Sequence, residues 1–338
     1  MPTPNLPQNF FGTAAADAAL RRKPRSRTLC RALFAAAAVG LCAPAAMATT
    51  YVYVGQPYTQ LNNVVPTSTP AGATPSPYTT AMKVVGQFTT AAPLPANLAS
   101  QNIGPPTDDG SGGTNGNGLM LSWNWSDGVL TYNQSNSVFN YAGSANQVST
   151  DASGNITSHS FIFVTPKSPF SVGQAVQTLY TNTLAGITKE QVTYYTCNSA
   201  AASMPTYCFV NSNAPATISL RFTQFDTPGT WLSFDPQDDM GTVPAGQLST
   251  LPSVAANDKV SGAAATVGAG GNATVAPAGT WPAGITLDPA TGAVTVASTV
   301  AAGNYPLTYS LCSSAVPDAC ATVNVTITVT PAAPVAAN

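Results

Sequence analysis

Few side chains here could do acid, base or nucleophilic work: the 338 residues hold one histidine, one glutamate and twelve aspartates. His159 lies in ITSHSFIFV, where two-residue alternation puts it on one strand face with Thr157, Phe161 and Phe163. A catalytic triad or a general base would need that imidazole beside a nucleophile. No G-x-S-x-G elbow, H-E-x-x-H pair or second histidine accompanies it, so His159 reads as an ordinary strand histidine. Glycoside hydrolysis needs two carboxyl groups at a set separation. Glu190 and aspartates that mostly sit in turn-like contexts give that chemistry the weakest footing. Trp123 and Trp125, two apart in SWNW, share a strand face. Buried, they are core; exposed, they form a platform for a sugar ring, with Asp127 and Asn124 at hand for its hydroxyls. The loop TDDGSGGTNGNG (Thr107–Gly118) groups Asp108, Asp109, Asn115 and Asn117. Its spacing does not follow an EF-hand, and it reads as a solvated insertion.

The elements that must position these groups are strands. Period-two runs recur: YVYV (Tyr51–Val54), MKVVGQFTT (Met82–Thr90), LMLSWNW (Leu119–Trp125), ITSHSFIFV (Ile156–Val164), QVTYYTC (Gln191–Cys197) and TISLRFTQF (Thr217–Phe225). Clusters of Gly, Pro, Asn and Ser separate them, as between antiparallel strands. The stretch SVGQAVQTLYTNT reads either as one modest helix over Val172–Thr183 or as a strand. In TWPAGITLDPATGAVTV (Thr280–Val296), Pro289 presets φ and Gly292 admits positive φ, so a turn joins two short strands. The expectation is all-β: two antiparallel β-sandwich domains in tandem, 49–233 and 234–330, divided near FDPQDDMG.

Residues 1–48 read as an export leader. Six basic residues precede an apolar run from Leu33 to Ala46, and Ala46-Met47-Ala48 offers small residues for cleavage. The run is too short to span a bilayer, and the mature chain from Thr49 is expected to carry no integral membrane span. That mature chain has five basic residues against twelve acidic ones, a net charge of −7. Five scattered cations cannot neutralise a phosphate backbone, which excludes nucleic acid as a partner. In an oxidising compartment its four cysteines favour disulfides. Of three pairings, the spacing favours the local ones, Cys197–Cys208 and Cys312–Cys320, each closing a hairpin loop between β-type runs. Spacings of eleven and eight with no histidine nearby argue against a metal site.

TLPSVAANDKVSG (Thr250–Gly262), PAGITLDPATG and AAGNYPLTYSLCSSAVPDACATVNVTITV (Ala301–Val329) resemble a bacterial surface Ig-like module of the putative-immunoglobulin and cadherin-like kind. The resemblance implies that the second domain is Ig-like. It also points to Asp235, Asp238, Asp239 and Asp258 as ligands of a junctional calcium ion that would stiffen the hinge between domains. MKVVGQFTTAAPLPANL, WSDGVLTYNQSN and VSTDASGNITSHSF are similar to the N-terminal regions of exported PEP-CTERM-type proteins. Those proteins end in a Pro-Glu-Pro and hydrophobic sorting tail, where this chain ends PAAPVAAN over 331–338, so plain secretion is the expectation. Together these readings describe an exported surface or matrix protein, adhesive or structural and without catalysis. Its partner would be a polysaccharide or a matrix protein. The alternative is a carbohydrate-binding module working through Trp123, Trp125 and Asp127.

Overall fold

The alternation seen in the sequence becomes strand almost throughout. A computed structural model describes residues 48–59, 61–62, 78–105, 116–139, 146–165, 171, 174–184, 187–196, 199–201, 204–209, 221–222 and 229–332. In chain order these form β1 (Thr49–Val54), β2 (Leu61–Asn62), β3 (Val85–Thr90), β4 (Gln101–Asn102), β5 (Met120–Ser126), β6 (Thr131–Asn133), β7 (Val138–Phe139) and β8 (Gln147–Thr150). There follow β9 (Ile156–Thr165), β10 (Ala175–Leu184), β11 (Ile187–Thr196), β12 (Ser199–Ala201), β13 (Met204–Phe209), β14 (Arg221–Phe222), β15 (Thr230–Asp235) and β16 (Asp239–Pro244). The last are β17 (Ser249–Ser253), β18 (Lys259–Val260), β19 (Ala263–Ala264), β20 (Ala273–Ala278), β21 (Ile285–Leu287), β22 (Ala293–Val296), β23 (Gly303–Ser313) and β24 (Cys320–Thr330). The all-β expectation holds. The stretch that also read as a helix is strand β10, because Gln177, Leu179 and Thr181 alternate into the interior.

Four sheets carry the fold. The first has the order β19-β18-β15-β1-β3-β5-β6, and the second runs β11-β10-β9-β8-β4 with β7 beside β9. The third is β16-β24-β23-β20 and the fourth β17-β22-β21. Neighbours are antiparallel apart from β16 and β24, which run parallel from Asp239↔Val325 to Pro244↔Thr330.

Two cores meet across the first sheet. Tyr51 and Tyr53 of β1 face an aromatic core with Phe88, Trp123, Trp125, Phe161 and Phe163, against the second sheet. Val52 and Val54, on the other face, join an aliphatic core with Val275, Ile285, Val294, Tyr309 and Val325, against the third and fourth sheets. β15 divides likewise: Trp231 packs on the aromatic side, Leu232 and Phe234 on the aliphatic side. Every residue of β1 is therefore buried. The division expected between Ser233 and Phe234 falls inside β15, and β18 and β19 extend the same sheet from beyond it. The described residues fall within one compact unit.

The turn between β21 and β22 forms as its residues dictate. Gly292 has φ 76° and donates its N–H to the Asp288 carbonyl at 2.7 Å, while the Asp288 carboxylate accepts from Ala290 N–H and the Thr291 hydroxyl. Cys312 and Cys320 stand directly opposite each other in the β23–β24 ladder and form the expected disulfide. Closing a loop of eight residues, it contributes about 2.5 kcal/mol by restricting the unfolded chain. Cys197 lies outside the described residues, and with it the Cys197–Cys208 pairing; so do the leader through Met47, Asp108, Asp109, Asn115 and the last six residues. Among the described residues, no helix is long and apolar enough to cross a membrane.

Candidate functional site

The aromatic core is crossed by a line of polar groups whose donors all point one way. Trp231 of β15 donates its Nε1–H to His159 Nδ1 on β9 at 3.1 Å. That bond leaves the imidazole hydrogen on Nε2, which donates to Thr181 Oγ1 on β10 at 2.8 Å. Thr181 bonds the Tyr53 oxygen, and Tyr53 of β1 donates to Glu190 Oε1 on β11 at 2.7 Å. The line thus links the two sheets around the central strand. Burial with no charged partner holds His159 far below the usual imidazole range, at about 3, so it is neutral. Burial raises Glu190 to about 7, and hydrogen bonds from Tyr53 and the Val84 backbone offset this only in part. Its Oε2 is buried without a hydrogen-bond partner. A Cβ on Gly55 would meet the Glu190 carboxyl and one on Gly229 the Tyr53 ring, so a side chain at either position would displace this line.

Asp127, fully buried after β5, gathers a second cluster. Its Oδ1 accepts the N–H groups of Val129 (2.9 Å) and Leu130 (2.7 Å). Its Oδ2 accepts Tyr78 (2.6 Å), Tyr132 (2.8 Å) and Gln177 Nε2 (2.9 Å), and Tyr58 donates to its backbone carbonyl at 2.8 Å. Five donors on one carboxylate compensate its removal from water without any cation.

A third cluster lies in the aliphatic core. The Tyr309 hydroxyl is 2.6 Å from Asp258 Oδ2, 2.8 Å from the Val254 carbonyl and 3.1 Å from Asp239 Oδ2. One phenolic hydrogen is thus set among three acceptors, two of them carboxyl oxygens. Burial, with Asp258 and Asp238 close by, raises the Asp239 carboxyl to about 7. Asp258 is also raised by burial, while its Oδ1 accepts Gln237 N–H at 2.7 Å.

These placements correct two expectations. Trp123 and Trp125 do share a face, but at 4% and 0% exposure they pack on Phe163 and Phe161 and offer no ring to a sugar. Large aromatics are the main apolar payload of a sandwich interior, and the second sheet covers this pair. Asp127, expected near a ligand, is fully buried among Tyr78, Tyr132 and Gln177. The four aspartates of the expected calcium site take different partners: Asp239 and Asp258 meet on Tyr309, Asp238 nearby accepts from Asn324 Nδ2, and Asp235 accepts from Thr49 Oγ1. No cluster of three or more acidic, histidine or cysteine side chains suited to a metal ion occurs among the described residues. His159 is buried on β9 with both ring nitrogens hydrogen-bonded.

The sequence reading passed over Tyr53, Tyr132, Gln177, Thr181 and Tyr309, which organise the buried carboxyls. One signal was available for Tyr53 and its neighbours: in YVYV, tyrosines alternate with valines and no polar residue intervenes, as in a strand covered on both faces. No protein-family model matches this chain, and no curated protein matches it either.

Proposed function

We propose that the chain is an exported surface or matrix protein whose double-core body serves as a rigid structural or adhesive unit, without catalysis. The observation that carries this reading is the position of β1. Among the described residues the first strand opens at Thr49, the residue after the expected cleavage point, and it is sealed between two cores. Maturation at Ala48 would release the body with its central strand intact. The buried carboxyls and the histidine support a structural role, since their hydrogen bonds tie strands together. The Cys312–Cys320 bridge suits an oxidising compartment. The Ig-like and cadherin-like resemblance of residues 250–329 agrees with a projecting module.

The test is production of the full chain in a bacterial host, followed by fractionation and N-terminal sequencing. A periplasmic or extracellular chain beginning at Thr49 is the expected outcome. A full-length chain retained in the cytoplasm overturns the reading.

A further inference from the structure

The outward face of the second sheet carries a cleft of a different character from the sealed core behind it. Its cavity of about 170 Å³ is lined by Gln147 and Ser149 of β8, Ser158 and Ser160 of β9, and Asn182 of β10, with His159 at its floor. Gln147, Ser160 and Asn182 are register partners, so an amide, a hydroxyl and an amide cross three strands in one row. Neighbouring strands lie ~4.8 Å apart, so adjacent groups of the row are separated by about the width of one pyranose ring. Tyr180, two residues from Asn182 on the same face, borders the row and accepts from Asn182 Nδ2 at 2.6 Å. Half-buried, it can offer part of an aromatic surface to the C–H face of a sugar.

The lining has no charged side chain. His159 does not become one in mild acid, because both its ring nitrogens are committed inward to Trp231 and Thr181. An ionic ligand would find no counter-charge there, whereas a polyhydroxy ligand would find matching donors and acceptors. The cavity is smaller than the ~300–1,000 Å³ that encloses a whole small molecule. It therefore suits one ring of a longer chain lying across the strands. We infer that this cleft binds a neutral polysaccharide, one sugar ring seated over Ser158, Ser160 and Asn182. The inference supplies a partner class for the exported reading above. Because it is tested on purified protein, failure of export and failure of binding remain distinct results.

His159 is the sole histidine, so its ring protons give isolated nuclear magnetic resonance signals at the floor of the cleft. The test titrates the folded chain 49–338 with cellohexaose, maltohexaose and N-acetylchitohexaose while following those signals. At least one of the three is expected to shift them saturably, with a Kd changed less than about twofold when salt rises from ~50 to ~500 mM, since no charges are paired. Asn182→Ala is expected to weaken that binding about tenfold, the equivalent of one strong hydrogen bond. Ser158→Trp, which fills the cleft from an outward strand position, is expected to abolish it while leaving the melting temperature in place. No shift with any of the three, steep salt dependence, or unchanged binding by Ser158→Trp overturns the inference.

Discussion

Asp127→Ala is expected to cost about 4 kcal/mol or more of folding stability, among the largest losses a single substitution can cause. The reason lies in what remains. Tyr78 and Tyr132 would lose the carboxylate that accepts their hydroxyls, and Val129 and Leu130 the acceptor of their N–H groups, while Gln177 Nε2 would keep only the two tyrosine oxygens. Each orphaned buried donor costs about 1–3 kcal/mol. Water entering the vacated space recovers part of this, which keeps the expectation below a simple sum. Asp127→Asn should cost less than Asp127→Ala. The amide oxygen can still accept the two backbone N–H groups, and its nitrogen can donate to tyrosine hydroxyls that rotate to accept. Urea unfolding of the three proteins checks both the size and the order. A loss below about 1 kcal/mol for the alanine variant would show that the cluster is not the anchor its geometry describes.

The second large effect concerns pH, where two buried groups oppose each other. Glu190 sits at about 7 in the folded chain against an ordinary 4.5. Its proton is held more tightly in the folded state, so its contribution is fully present below the ordinary value and is lost as pH rises through 7. His159 sits at about 3 against 6.5, so its contribution is present above 6.5 and is lost as pH falls toward 3. Between about pH 5 and pH 8 the two slopes nearly cancel. Asp239, also raised to about 7, adds to the Glu190 side and tilts the optimum toward mild acid. The underlying slopes appear when one group is removed. Relative to the parent chain, Glu190→Gln is expected to gain about 2–3 kcal/mol of stability on going from pH 5 to pH 8. Denaturant melts of both proteins at the two pH values give this difference directly, and a difference that stays constant would mean that Glu190 is charged throughout.

How much of this was legible depends on the range of the information. The strands were readable because alternation is local, and the turn at Asp288–Gly292 because its residues each serve that geometry. The Cys312–Cys320 bridge was readable because two β-type runs flank a short spacing. Burial of the tryptophans was not, since SWNW states only that both rings share a face, and whether a sheet covers that face is decided by β9. The polar line was hidden for the same reason: Tyr53 and Glu190 are 137 positions apart. The expected calcium set followed the cadherin-like resemblance, whereas Tyr309, 51 positions from Asp258, brings Asp258 and Asp239 together. The division at Ser233 followed a change in composition, which does not record that β18 returns to pair with β15.

That return makes the first sheet common to both cores, with β1 at its centre presenting tyrosines to one and valines to the other. Neither core can lose that strand while the other keeps it. Scanning calorimetry of the chain 49–338, disulfide intact, tests this most directly. A single transition is expected, with calorimetric and van't Hoff enthalpies equal. Two separated transitions, one for the aromatic half and one for the disulfide-bearing half, would contradict a shared strand that binds both cores into one cooperative body.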